Sequence, residues 1–109
     1  MRQETTKFEF NVDGFIKRAF GSFIYSCVTV RIEWAKFPNS AYDKRMNLEE
    51  ILNEFEYLQE NNYVCKTIIY GNTKAHFMLV FTNKNDEEDV RFYEFCFYIP
   101  KIWFIRKEN

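Results

Sequence analysis

The chain has 109 residues and a formal net charge of -1, with 47% apolar and 20% aromatic residues. This length predicts one globular domain over residues 1–109, with enough apolar surface to form a core without disulfides or metal ions. The charge balance differs from that of uniformly basic nucleic-acid binders, and the single histidine disfavours most enzyme classes.

The first third of the chain predicts a strand, a short helix and a second strand. Apolar and polar residues alternate over residues 7–12, which is typical of a half-buried strand. Apolar residues then recur at helical spacing over residues 15–24, with Gly21 as the expected end or kink. The β-branched alternation over residues 24–34 predicts the second strand.

A loop and a second helix follow. Residues 37–45 are the longest predicted loop, because their Pro-Asn-Ser sequence favours turns. Asn47 is the predicted helix N-cap, and Glu50 stands where a capping-box partner is expected. We expect the helix to end by residues 61–62. Its predicted buried stripe consists of Leu48, Ile51, Leu52, Phe55 and Leu58.

The remaining residues predict strands. A hairpin is expected from residues 63–70 and 74–82, joined by a Gly-Asn turn. The polar residues 83–89 predict a solvated turn, and residues 90–99 predict a further strand. A short last strand is expected at residues 101–106.

These elements predict an α+β fold in the order β-α-β-α-β-β-β(-β). We expect a mostly antiparallel sheet of about four to six strands, with two helices packed on one face. Large apolar residues occupy both faces of several strands, as in the pair Phe77 and Met78. Because two helices cover only one face, the other face or an edge is expected to be a protein interface.

No recognisable motif indicates a catalytic, metal or cofactor site. The three cysteines lack a Cys-x-x-Cys pair, which disfavours zinc binding and a disulfide framework. His76 has no proton-transfer partner nearby in sequence, so we expect a structural role for it. The sequence therefore predicts a non-enzymatic protein without cofactor or metal. A polar amino terminus and the lack of a long apolar run predict a cytoplasmic protein without membrane association.

Charge is segregated along the chain. Residues 47–62 contain five glutamates and no lysine or arginine, and a second acidic run follows at residues 86–89. The pattern predicts either an ordinary solvated surface or an acidic surface that binds a partner protein with a basic surface. The candidate partner-binding residues are Glu49, Glu54, Glu56, Glu60, Asp86, Glu87, Glu88 and Asp89.

Aromatic residues form the second candidate surface, for which Tyr93, Phe95 and Trp103 are the predicted interface side chains. Together these patterns favour a small protein-binding module, such as a stoichiometric inhibitor or immunity-type antagonist that occludes a partner protein. The sequence leaves a homodimer open. It also leaves open a single-stranded nucleic-acid binder that uses sheet aromatics, and a small-molecule or enzyme domain with an aromatic-lined cavity.

Overall fold

The described part of the chain forms two helices and six strands. The computed structural model describes residues 2–5, 11–23, 25–72 and 75–97. The helices are α1 (Val12–Phe23) and α2 (Leu48–Glu60), and the strands are β1 (Arg2–Thr5), β2 (Cys27–Trp34), β3 (Phe37–Asn47), β4 (Tyr63–Tyr70), β5 (His76–Asn83) and β6 (Asp86–Cys96).

One antiparallel sheet contains these strands in the order β1-β4-β5-β6-β2-β3. Strands β4, β5 and β6 form a meander of consecutive hairpins. The β2–β3 hairpin joins this meander through β2 and β6, where Val30 lies opposite Phe95. The predicted α+β class, the antiparallel sheet and the pair of helices on one face are confirmed.

The hydrophobic core lies between the helices and one face of the sheet, which we call the inner face. From α1, Phe20 packs edge-on against Phe97, with ring centroids 5.2 Å apart. From α2, Phe55 packs against Phe81 of β5, with centroids 5.4 Å apart. Both helices therefore cover the same face. The strands contribute these buried side chains: Val28, Val30, Ile32, Met46, Tyr63, Cys65, Ile68, Phe77, Leu79, Phe81, Tyr93 and Phe95.

The opposite face of the sheet, which we call the outer face, carries no helix in the described part of the chain. Its residues alternate along β5 and β6 with the buried ones, because successive strand side chains point to opposite faces. Several of them are half-buried: His76, Met78, Val80, Phe92 and Glu94.

The segment predicted as the longest loop, residues 37–45, belongs to strand β3. It pairs with β2, and Met46, its buried residue, lies opposite Val28. Pro38 is tolerated because β3 is an edge strand, where a missing N–H donor need not break a ladder. Pairing with β2 thus outweighs the local turn signal and adds a strand between β2 and α2.

The amino-terminal boundary also differs from the prediction. Helix α1 begins at Val12, which the sequence placed at the end of a strand. The side-chain oxygen of Asn11 accepts a hydrogen bond from the N–H of Gly14 at 3.0 Å and so helps to start the helix. The rest of that predicted strand, residues 7–10, and the predicted last strand at residues 101–106 lie outside the described residues.

Gly71, directly after β4, lies in close contact with His76. The N–H of Gly71 donates a hydrogen bond to the carbonyl of His76 at 2.7 Å. A Cβ atom on Gly71 would lie only 2.5 Å from Nδ1 of His76, closer than side-chain carbons approach. The absence of a side chain at Gly71 therefore lets the imidazole lie directly against the backbone.

Candidate protein-binding site

Helix α2 begins with the capping box that the sequence predicts. The side-chain oxygen of Asn47 accepts the N–H of Glu50 at 2.8 Å, and the Glu50 carboxylate accepts the N–H of Asn47 at 3.1 Å. These two bonds satisfy backbone donors that the first turn would otherwise leave unpaired. The helix start is thus fixed relative to β3, which ends at Asn47.

The exposed side of α2 carries a line of polar residues that is mainly acidic. Ile51, Phe55 and Leu58 are buried and attach the helix to the sheet. At 3.6 residues per turn, positions 49, 53, 56 and 60 lie on the opposite side, and all four are exposed. We call this set the acidic stripe: Glu49, Asn53, Glu56 and Glu60. The fold thus brings three of the predicted partner-binding glutamates together.

Tyr57 lies beside the acidic stripe, and the sequence analysis did not select it. Its side chain is 51% exposed, close to the 54% of Phe37 and the 53% of Tyr42 on β3. Its exposure could have been predicted from the sequence, because Tyr57 occupies a helical position away from the apolar stripe. The aromatic ring therefore adds apolar area to an otherwise polar surface.

The carboxylates of the acidic stripe have no ion-pair partner among the described residues. The ion pairs between described residues lie elsewhere and join Arg31 to Asp43 and Lys36 to Asp86. Helix α2 contains no lysine or arginine of its own. The carboxylates of the stripe are thus free to interact with solvent or with positive groups of a partner.

Glu54, another predicted partner-binding residue, faces the sheet instead. Its Oε2 accepts a hydrogen bond from the hydroxyl of Tyr93 at 2.5 Å, and the side chain is half-buried. Burial, together with this bond to the Glu54 carboxylate, raises the pKa of Tyr93. Glu54 therefore attaches α2 to β6 and does not join the acidic stripe.

The acidic run at residues 86–89 forms the beginning of β6, where a solvated turn was predicted. Asp86 forms an ion pair with Lys36, with Oδ2 and Nζ 2.9 Å apart, and the hydrogen bond from Lys36 lowers the pKa of Asp86. Glu87 and Glu88 are exposed. Asp89 is only 6% exposed and has almost no surface for a partner, which corrects its predicted role.

The Asp89 carboxylate accepts hydrogen bonds from three side chains on three other strands. The donors are Nε1 of Trp34 at 2.6 Å, the hydroxyl of Tyr63 at 2.5 Å and Nδ2 of Asn83 at 3.0 Å. The Arg91 guanidinium lies 4.4 Å from the Trp34 ring centre and 4.9 Å from the Tyr63 ring centre, a cation–π arrangement. We call these five residues the Asp89 cluster.

The chemistry of the Asp89 cluster favours a structural role. Burial alone would raise the pKa of Asp89, but the hydrogen bonds from Tyr63, Asn83 and Trp34 outweigh burial and lower it. A carboxylate with a lowered pKa and three engaged donors is a poor proton acceptor. Sequence reasoning missed the cluster because its members are dispersed from Trp34 to Arg91.

Tyr93 and Phe95, predicted as interface aromatics, are buried in the core at 1% and 0% exposure. Phe95 stacks on Phe77, with ring centroids 5.2 Å apart. Because β6 is apolar on both faces, its sequence does not reveal which face the helices cover. The helices cover the face that carries Tyr93 and Phe95. Trp103 lies outside the described residues.

The outer face offers little to a nucleic acid. Phe92 is its aromatic residue on β6, and Glu33 lies directly opposite it on β2. Glu94, two residues along β6, points to the same face. The carboxylates beside Phe92 would repel phosphates, so the geometry gives the nucleic-acid alternative no specific support.

His76 has a partner that its sequence neighbours do not supply. Its Nε2 lies 2.5 Å from Oε2 of Glu94, across the β5–β6 pair on the outer face. Cys96, the register partner of His76, is exposed. Partial burial and the nearby Glu94 charge raise the pKa of Cys96 and keep the thiol protonated at neutral pH.

A cleft of about 170 Å³ lies between the helices and β4. Tyr63 and Cys65 are among its lining residues. His76 lies on the other face of the sheet, because it alternates along β5 with buried Phe77. Burial raises the pKa of the Cys65 thiol to about 12, so this group stays protonated and unreactive. Pockets for small molecules usually hold about 300–1,000 Å³, which makes this cleft small for that purpose.

Across the described residues, no group of three or more His, Cys, Asp or Glu side chains is arranged to hold a metal ion. The described helices are too short or too polar to cross a bilayer. A scan against protein-family models, a search of curated proteins and a search of solved structures each found no match to this chain.

Proposed function

We propose that this chain is a small cytoplasmic, non-enzymatic protein-binding module that uses α2 to occlude a basic surface of a partner protein. The observation that carries the proposal is the acidic stripe. Its glutamates are exposed, unpaired among the described residues and held opposite the buried side of the helix. An inhibitor or immunity-type antagonist would act in this way, by covering a functional surface in a one-to-one complex.

The distribution of charge along α2 supports a role beyond solubility. Glu49 is favourable for the helix itself, because it lies near the positive end of the helix dipole. Glu56 and Glu60 lie toward the negative end and are four residues apart, an arrangement that costs isolated helices about 0.2–0.5 kcal/mol. The positive charges of a basic partner would attract both carboxylates and so offset the repulsion between them.

Tyr57 supplies what the glutamates lack, namely apolar area beside the charges. Tyrosine is enriched among the residues that dominate binding energy at interfaces. Charged residues mainly accelerate association, whereas a buried aromatic residue mainly slows dissociation. The combination predicts a complex whose association rate depends on salt and whose lifetime depends on Tyr57.

The test compares two variants with equal changes in charge. Glu56→Lys/Glu60→Lys alters the acidic stripe. Glu87→Lys/Glu88→Lys alters exposed glutamates that the sequence also selected but that lie on β6, outside the proposed α2 surface. Wild type and both variants are immobilised and exposed to a lysate of the native host. A retained protein should bind wild type and the β6 variant and should be lost with the α2 variant.

The retained protein is then purified and its association kinetics are measured at about 50 and 300 mM salt. The α2 variant should associate at least about tenfold more slowly than wild type, with a weaker salt dependence. Tyr57→Ala should increase the dissociation rate. Equal association rates for the two lysine variants would contradict a role for α2 in binding.

A further inference from the structure

The outer face of the sheet carries two adjacent rows of residues in register. The first row is Ile69, Met78, Glu94, Arg31 and Asp43, running from β4 to β3. The second row, one step along the strands, is Thr67, Val80, Phe92 and Glu33. The half of this face over β4, β5 and β6 is thus mainly apolar, and the half over β2 and β3 is charged.

The apolar half is a compact block. Ile69 and Met78 are paired in the first row, and Val80 and Phe92 are paired in the second, so the four side chains adjoin. All four are half-buried, although both helices pack on the other face of the sheet. A contiguous apolar block of this kind is typical of the centre of a protein interface.

The charged half is complementary to itself. Arg31 and Glu33 are two residues apart on β2 and point to the same face. A two-fold axis across the strands, between the two rows, would place Arg31 of one copy over Glu33 of the other. The same axis would place Met78 over Val80. Each contact would occur twice, as in an isologous dimer.

The remaining charges of these rows are compatible with burial. Glu94 is already paired with His76, with Oε2 and Nε2 2.5 Å apart. Arg31 also contacts Asp43 at 3.3 Å, near the rim on edge strand β3. Glu94 and Asp43 therefore each have a polar side chain of the same copy in contact with the carboxylate.

The size of the outer face also suits a second copy. Five or six strands about 4.8 Å apart and about eight residues long cover roughly 600–800 Å². A stable interface of standard size buries about 800 Å² on each partner. Two sheets packed face to face would lie about 10 Å apart, within reach of an arginine and a glutamate from opposite sides.

We propose that the outer face is the interface of a homodimer in which two sheets pack face to face around the Arg31–Glu33 contacts. This interface lies on the side of the sheet away from α2. Dimerisation and partner binding through the acidic stripe are therefore separate properties that can succeed or fail independently.

The test is a charge-reversal cycle read by sedimentation equilibrium between about 1 and 100 μM. Wild type should be a dimer. Arg31→Glu would bring a carboxylate opposite Glu33, and Glu33→Arg would bring a guanidinium opposite Arg31. Each single variant should weaken dimerisation at least tenfold, and the double variant should restore it because the contacts are then exchanged.

The double variant keeps the experiment interpretable. Arg31→Glu also removes the contact with Asp43, but the double variant loses that contact too. Recovery of the dimer by the double variant therefore excludes a folding defect as the cause. The Glu56→Lys/Glu60→Lys variant should remain dimeric. A monomeric wild type at 100 μM, or single variants that dimerise like wild type, would overturn the proposal.

Discussion

Replacing Asp89 by alanine should cause a large loss of stability, because three side-chain donors would lose their acceptor. A hydrogen bond to a charged group contributes about 1.5–3 kcal/mol, but adding three such values would overstate the loss. Leaving one buried donor without an acceptor costs about 1–3 kcal/mol, so three donors that share one network should together cost about 3–5 kcal/mol. We expect a loss in that range for Asp89→Ala and a smaller one for Asp89→Asn, which keeps one acceptor oxygen.

The assay is urea denaturation at pH 7, followed by tryptophan fluorescence and far-ultraviolet circular dichroism. Measurements at several protein concentrations separate the stability of the fold from that of a dimer. Glu88→Ala is the matched control, since this neighbouring side chain is exposed and should change stability by less than about 0.5 kcal/mol. An Asp89→Ala variant within about 1 kcal/mol of wild type would refute the structural role of the cluster.

The contribution of Asp89 to stability should also be measurable as a loss of stability at acidic pH. The pKa of Asp89 is lowered in the folded protein, so its stabilising effect is complete above the unfolded value of about 3.9. That effect should disappear as the pH falls through the lower folded value. Wild type should therefore lose more stability than Asp89→Ala below about pH 4, and equal losses would contradict the hydrogen-bonded carboxylate.

Two further predictions concern the core and alkaline conditions. Phe95→Ala should lower the free energy of unfolding by about 3–5 kcal/mol, and Phe92→Ala should lower it clearly less. Both variants are compared as monomers, in the Arg31→Glu background. Similar losses of stability would contradict the assignment of the two sheet faces. Burial raises the pKa of Tyr93 and Tyr63 in the folded protein, so the unfolded chain ionises first and stability should fall as the pH rises above about 10. Tyr93→Phe should reduce this alkaline loss in denaturation experiments from pH 8 to 11, and an unchanged loss would exclude Tyr93 as its source.

The second helix could be predicted because its signals are local. Asn47 and Glu50 form the expected capping box, and the apolar spacing places Phe55 in the core. Strand β3 could not be predicted in this way. Its residues are largely polar and include Pro38, and it is a strand because β2 supplies hydrogen-bond partners from elsewhere in the chain.

The candidate site shows the same division between local and long-range information. The exposed position of Glu56 follows from helical periodicity alone. The burial of Asp89 depends on Trp34 and Tyr63, which are 55 and 26 residues away in sequence. The orientation of Phe95 could not be predicted from the sequence either. Its strand is apolar on both faces, and the face on which the helices pack becomes the interior.

The order of strands has a consequence for how the chain folds during synthesis. The β2–β3 hairpin and the β4–β5–β6 meander are each local, but β2 and β6 join them near the middle of the sheet. At about 5–20 residues per second, the ribosome needs about 2–10 s to extend the chain from the end of β3 to the end of β6. During that interval the first hairpin lacks its neighbour, and sheet completion is a late, topologically slow step. Chaperone dependence should therefore be greatest for chains that stop before β6.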